Sequence, residues 1–283
     1  MAGSRSHPAP ARSAAPAAAG HHRGRAEAEA TVGGRGGPRR SRMATPLRLK
    51  ELSLERVAAI VAGDPRLIVP IGTCDVHGPH LPVGCDTILV SRLADDLSGE
   101  FGILRAPTLE YGASDEATHG VPREGSVRKK TLHLLLNDLL ASWERGGIRE
   151  FILLTANGDD AHREALATVM TMEARVRVVD AGIIRTAEPE NGSADWRRGG
   201  AADTSLMLFL APQLVDMRLA QDYTPHVPAR RRIFARRARA RGAQRSAPSA
   251  DPTLATAGHG AALYGEIRDR IAARIFTMPS PAP

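Results

Sequence analysis

The sequence predicts an α/β fold in which a mainly parallel central sheet is covered by helices on both faces. Two observations carry that reading. Short apolar runs bounded by turn residues alternate along the chain with stretches of helical periodicity, most of ten residues or more. Polar clusters then follow directly on the ends of two apolar runs, from Gly72 and from Ala156. In an open parallel sheet that carboxyl edge is where ligands bind.

Each element follows from its local pattern. SLERVAAIVAG predicts a short helix capped by Ser53 and closed by Gly63. RLIVPIG (66–72) is a short apolar run and predicts a buried strand. DTILVSRLADDLSGEF carries Ile88, Leu89, Leu93 and Leu97 at helical spacing, and GILRAPTL predicts the next strand. A polar loop runs from Glu110 to Arg128. TLHLLLNDLLASWERGG predicts an amphipathic helix closed by Gly146 and Gly147. REFILLTANG predicts a buried strand with a glycine turn, DAHREALATVMTMEA a helix, and ARVRVVDAGII a further strand. ADTSLMLFLAPQLVDM (202–217) predicts a helix that starts at an Asp-Thr-Ser cap. Residues 225–250 are a Pro- and Arg-rich loop, and AGHGAALYGEIRDRIAARIF closes the chain as an amphipathic helix.

Composition narrows the class. Only 4% of residues are aromatic against 42% hydrophobic, so the core must be built from Ala, Val, Ile and Leu. No apolar run reaches the roughly 18–20 residues of a membrane-spanning helix, and no membrane partner is expected. Cys74 and Cys85 are too few for a disulfide framework, which points to a reducing cytoplasm. The net charge of +7 is misleading about partners: residues 1–42 contribute +6 and residues 230–245 contribute +8, so the remainder carries −7. The basic charge belongs to two low-complexity segments poor in aromatics, and nucleic-acid binding is not expected. Residues 1–44 are rich in Ala, Gly, Pro and Arg without apolar periodicity, and are expected to be a disordered tail. The foldable sequence that follows Met43 at once makes an over-extended start, with the true start at Met43, the favoured reading.

IGTCDVHGPHLPVGCD (71–86) concentrates the chemistry. Asp75, His77 and Asp86 are nitrogen and oxygen ligands of the kind that suits Zn²⁺, Mn²⁺ or Fe²⁺. A second reading takes Cys74, His77, His80 and Cys85 as a structural zinc site. A third takes the stretch as a Pro/Gly loop whose polar residues serve turns. The cysteines read as small buried hydrophobes, since no basic neighbour in sequence would activate a thiol. Glu116 and His119 sit in the 110–128 loop, and Trp196 reads as a site wall or a core aromatic.

The ordered motifs resemble those of the creatininase family. DVHGPHLPVGCD is similar to its Glu-x-His-Gly-Pro-His-Leu-Pro run followed by Thr-Asp, and LEYGAS (109–114), VPREGSV (121–127), TANGDDAH (155–162), RGGAADTSLML (198–208) and DPTLATAGHG (251–260) resemble its later blocks in register. The resemblance covers residues 50–275, inside a domain expected over 45–278. It implies a three-layer α/β/α sandwich, a homohexamer, and a metal-dependent amidohydrolase that cleaves a non-peptide C–N bond of a small cyclic amide or formamide-type substrate. A metal-activated water would be the nucleophile, with one or two divalent ions (Zn²⁺ or Mn²⁺, or Fe²⁺) per chain.

Carried over residue by residue, Asp86 is the carboxylate shared by the metals, His77 is the ligand His, and Asp75 stands for the family's Glu. Asp159 stands where the family has a ligand His. Ala161 stands where creatinine-cleaving members have a ligand Glu, with His162 or Asp160 as substitutes on the same turn. Arg198 replaces a proton-carrying His; it stays charged, so its expected role is to clamp a substrate carboxylate. Asp203 replaces a Glu. The expected ligands are Asp75, His77, Asp86, Asp159 and His162, and the expected catalytic residues are Asp86, Arg198 and Asp203. His80 is expected to support the site. The same departures leave a second expectation, a catalytically impaired creatininase-fold paralogue with a structural or interaction role.

Overall fold

A computed structural model of the chain describes residues 45–114, 125–182, 199–221, 223 and 251–276. The expected tail at 1–44, the 225–250 loop, Glu116, His119, Trp196 and Arg198 lie outside the described residues.

Seven short strands, six α-helices and four short 3₁₀ turns make up the regular structure of the described residues. The strands are β1 (Leu47–Arg48), β2 (Arg66–Ile71), β3 (Leu104–Arg105), β4 (Gly112–Ala113), β5 (Ser126–Val127), β6 (Glu150–Thr155) and β7 (Arg175–Asp180). The helices are α1 (Leu54–Gly63), α2 (Cys85–Phe101), α3 (Lys129–Arg145), α4 (Asp160–Ala167), α5 (Ala201–Leu210) and α6 (Ala257–Ile275). The main sheet runs β1-β3-β2-β6-β7 and every pairing in it is parallel. A separate parallel pair, β4 with β5, lies beyond it in the chain's polar loops.

Alternation along the central strands divides the core in two. Leu67, Val69 and Ile71 of β2, with Phe151 and Leu153 of β6, pack against Leu132, Leu136 and Leu140 of α3 and Ala165 and Leu166 of α4. Ile68, Ile152 and Leu154 point the other way, onto Leu89, Val90 and Leu93 of α2 and Tyr264, Ile267 and Ile271 of α6. That is the expected three-layer α/β/α sandwich.

The elements form for local reasons, and several end earlier than their periodicity suggests. Ser53 caps α1 by accepting from the Arg56 N–H at 3.3 Å, and Gly63 is the last helical residue. Gly102 ends α2 in the left-handed conformation, φ 66°, which favours glycine. The helix expected over 160–174 stops at Ala167. There Thr168 Oγ1 donates back to the Glu164 carbonyl, Met170 N–H donates to Asn137 Oδ1, and the buried Glu144 carboxylate accepts from the N–H groups of Met172, Glu173 and Ala174. Those bonds hold Glu144 below the usual carboxylate range, the Met172 and Glu173 N–H groups foremost. The helix expected over 202–217 breaks at Ala211 before Pro212 and continues as two short 3₁₀ turns, Pro212–Leu214 and Met217–Ala220. Of GILRAPTL only Leu104–Arg105 pairs in the sheet, with one further bridge from Ile71 to Leu109.

The register of the two central strands sets up the site. β2 and β6 pair from Arg66 opposite Glu150 to Ile71 opposite Thr155. The loops that begin at Gly72 and Ala156 therefore leave the same carboxyl edge side by side.

Candidate functional site

Two loops and one helix start converge at that edge. Gly72 lets the end of β2 lie against the first turn of α2, since a Cβ there would stand 2.5 Å from the Thr87 Cα. Asp86 sits in that first turn and is 7% exposed, and His77, in the preceding loop, is 1% exposed. His77 Nδ1 donates to the Asp75 carbonyl at 3.0 Å, because a carbonyl can only accept. That bond fixes the tautomer and turns Nε2 toward Asp86 Oδ1, 3.5 Å away. The second carboxylate oxygen, Oδ2, accepts from Thr73 Oγ1 at 2.7 Å. Burial pushes the Asp86 carboxyl up, but the His77 ring and the Thr73 hydroxyl outweigh it and hold Asp86 below its ordinary value.

The β6 loop contributes the opposite wall. Asn157 Nδ2 donates to Thr73 Oγ1 at 3.0 Å, and its Oδ1 accepts from the Asp159 N–H at 2.8 Å. Asp159 caps α4, with Oδ1 accepting from the Ala161 N–H at 3.0 Å and Oδ2 from Ser114 Oγ at 3.1 Å. Thr73, Asp75, Ser114, Gly125 and Asn157 line a small pocket of about 10 Å³, room for about one water or ion. Gly112 allows β4 to close in on this wall, as a Cβ there would come 2.7 Å from His162 Nδ1.

The expected site residues fare differently. His77 and Asp86 are brought together, and Asp75 shares their loop, its carboxylate accepting from the Val76 N–H at 2.8 Å and its carbonyl holding the His77 ring. His162 lies within electrostatic reach of Asp86 and Asp159, with its ring bonded elsewhere. Its Nδ1 accepts from the Ala113 N–H at 3.3 Å and its Nε2 pairs with Thr155 Oγ1 at 2.9 Å, so both ring nitrogens are engaged within the fold. Burial drives its pKa down to about 4, against the pull of Asp86 and Asp159, and the ring is neutral. Ala161 is buried in the core beside it. Asp203 Oδ2 accepts from the Gly199 N–H at 2.9 Å and closes the turn before α5, whose cap residue is Gly200 rather than the expected Asp-Thr-Ser. His80 is 1% exposed and its Nε2 pairs with Thr204 Oγ1 at 2.9 Å. Arg198 lies outside the described residues.

The four-residue zinc reading fails on the same geometry. Cys85 Sγ donates to the Pro82 carbonyl, burial pushes its thiol well up, and His80 faces Thr204. Among the described residues no three His, Cys, Asp or Glu side chains are gathered as a metal-holding group. What the structure does provide is a pair. Two bonds of about 2.1 Å at a tetrahedral angle separate their donors by about 3.4 Å, and His77 Nε2 and Asp86 Oδ1 stand 3.5 Å apart. With Nδ1–H held by a carbonyl, Nε2 is the ring nitrogen suited to a metal. The spacing is that of two neighbouring ligands, and among the described residues no third completes it.

Thr73, Ser114 and Asn157 were not singled out by sequence. Thr73 is an ordinary strand-end residue in pattern, and Asn157 reads as half of an Asn-Gly turn. Only their spacing from the acidic residues, two before Asp75 and two before Asp159, hints at a supporting role.

Comparison with known proteins agrees with this architecture. A family model described as "Creatininase: Creatinine amidohydrolase" matches residues 50–275. The creatinine amidohydrolase of Pseudomonas putida is 28% identical over 193 residues, covering 60% of this chain and 74% of that protein. The mycofactocin precursor peptide peptidase of Mycolicibacterium smegmatis is 29% identical over 219 residues, covering 75% and 84%. A solved structure named "Creatininase Mn" superposes with a TM-score of 0.63 at 23% identity, covering 81% of this chain and 97% of that one, a likeness of fold.

Proposed function

The chain belongs to the creatininase family of hydrolases, and from that membership we propose that it is a metal-dependent amidohydrolase acting on a non-peptide C–N bond of a small cyclic amide or formamide-type substrate. The single observation that supports it most is the buried His77–Asp86 pair, spaced as two neighbouring ligands of an ion and fixed on both sides by hydrogen bonds. Asp75 and Asp159, on the same converging loops, are assigned as its further carboxylate ligands. Three carboxylates to one imidazole favour a hard ion such as Mn²⁺ over Zn²⁺. When bound, the ion supplies Lewis acidity to an amide carbonyl and to a water.

The chain's own residues do the rest. The Asp75 carbonyl holds the His77 ring so that Nε2, not Nδ1, faces the site. Burial of His77 and Asp86 keeps bulk water off the pair and strengthens every charge beside it. Asp203 fixes the Gly199 turn, and Arg198, the residue before that turn, is assigned the clamp on a substrate carboxylate. Its guanidinium stays charged and moves no proton. The protein is proposed to work in the cytoplasm as a homo-oligomer. Both cysteines are free thiols, and no described helix is long and apolar enough to cross a membrane.

One observation favours a second reading. Asp159 serves as a helix cap and His162 is hydrogen-bonded at both nitrogens, as in a fold that has given up catalysis for an interaction role. Hydrolysis decides between them. Mn²⁺-loaded protein is expected to cleave at least one member of a panel of cyclic amides and N-formyl compounds, with the activity lost in Asp86→Ala. A loaded, folded protein inert across the panel supports the non-catalytic reading.

A further inference from the structure

The main sheet ends differently on its two sides. β1 closes one edge with two residues, whereas β7 leaves six, Arg175–Asp180, along the other, and among the described residues no strand lies beyond it. The Arg175 N–H donates to the Arg149 carbonyl at 2.9 Å, so Arg175 turns its main-chain groups to β6. Peptide groups of successive strand residues alternate in direction. Arg177 and Val179 therefore also bond to β6, while Val176, Val178 and Asp180 turn their main-chain groups outward. Val178 lies on the α4 face of the sheet, and its side chain is 40% exposed there. Arg177, the charge within the strand, is tied to Glu150 at 2.6 Å. A groove of about 560 Å³ lies over this edge, between Arg163, Glu164 and Ala167 of α4 and Arg274 and Ile275 at the end of α6. A six-residue open edge without Pro or Lys is a template for another strand, and parallel sheets are ordinarily buried throughout.

We propose that β7 is the contact through which a second copy of this chain extends the sheet, antiparallel and across a two-fold axis at Val178. The outward residues are self-matched about that axis. Val178 exchanges both main-chain bonds with Val178 of the second copy, and Val176 exchanges both with the second copy's Asp180, as in the closely bonded pairs of an antiparallel ladder. An axis at Arg177 would instead leave Asp180 opposite Ala174, outside the strand. Because the axis is perpendicular to the sheet, each face stays on its own side. The two Val178 side chains then meet on the α4 face, about 5.5 Å apart at Cα, and cover each other. The same axis sets α4 beside an antiparallel copy of itself. Arg163 and Glu164 stand at the middle of α4 with side chains 43% and 59% exposed, paired in their own chain with Asp180 and Lys129. In the antiparallel pair each meets the opposite sign, and the small Ala167 leaves room for the approach. An unrelated strand would have to match this register and these charges by chance, whereas a second copy matches both by symmetry.

This inference rests on the homo-oligomer reading, and the test separates the two. Full-length protein is followed by sedimentation velocity over a range of concentrations, alongside Val178→Pro and Val178→Lys, with circular dichroism as the check of folding. The Val178 N–H points away from β6, so Pro removes an outward donor and leaves the ladder intact. Lys sets two like charges face to face at the axis. Wild type is expected to sediment as an even number of chains. Both variants are expected to keep the wild-type dichroism and to fall to half that number, with a dissociation constant about 10–100-fold higher. If Val178→Pro does not fold, Val178→Lys decides alone. Wild type with an odd number of chains, or folded variants that associate as tightly as wild type, overturns the β7 contact and leaves the homo-oligomer reading standing. Wild type that is monomeric at every concentration overturns both.

Discussion

Gly199→Ala should be among the most damaging single-methyl changes near the site. Gly199 has φ +73°, and a Cβ there would fall inside the His77 carbonyl, 2.9 Å from its carbon, and 2.8 Å from Tyr223 Cε1. Ordinary carbon contacts lie at about 3.5–4.0 Å, so the turn must back away from the His77 loop by about 1 Å. The left-handed backbone costs an L-residue about 1–2 kcal/mol. Forcing a methyl into a packed site adds about 1–3 kcal/mol. The sum is about 2–5 kcal/mol, which for a domain of this size lowers the thermal midpoint by about 4–20 °C. Gly265→Ala is the matched control, since nothing lies within 4 Å of a Cβ at that α6 position and the change should stabilise the helix by about 0.5–1 kcal/mol. Thermal and denaturant unfolding followed by circular dichroism read both. A Gly199→Ala protein as stable as wild type would refute the claim that this glycine seats α5 against the site.

Other consequences follow from buried polar groups. Tyr264 donates to Asp96 Oδ2 at 2.6 Å inside the α2–α6 layer. Tyr264→Phe should cost about 1.5–3 kcal/mol, read from the denaturant midpoint, and an unchanged midpoint would remove that bond from the account. His162 has its pKa depressed from 6.5 to about 4 by burial. Because the unfolded chain takes up that proton first, stability should be full above pH 6.5 and fall by up to about 3 kcal/mol as pH drops through 4. The unfolding free energy of His162→Gln should be flatter over that range. Equal slopes in the two proteins would show that His162 is not the group responsible.

The fold was legible because its signal is periodic. Apolar runs at 66–72 and 149–158 could only be central strands, and alternation within them settles which residues face which helical layer. Element ends were less legible, because competing tertiary bonds decide them. Nothing local to DAHREALATVMTMEA shows that Glu144, on another helix, will gather the N–H groups of Met172, Glu173 and Ala174 and stop the helix at Ala167. At the site, the 71–86 motif made His77, Asp75 and Asp86 visible. The turn shared with Asp159 makes His162 a candidate ligand in sequence, but its ring is taken up by the N–H of Ala113, 49 residues away, and by the hydroxyl of Thr155, to which Nε2 donates. Thr73 and Asn157 carried no motif weight, and their importance appears only when β2 and β6 bring them within 3.0 Å.

The most direct measurement of the central claim is the metal content of the full-length protein after reconstitution with Mn²⁺ and removal of excess metal, compared with Asp86→Ala. The account predicts bound Mn²⁺ in the wild type and its loss in the folded variant. Equal metal in both proteins, or none in either, would contradict it.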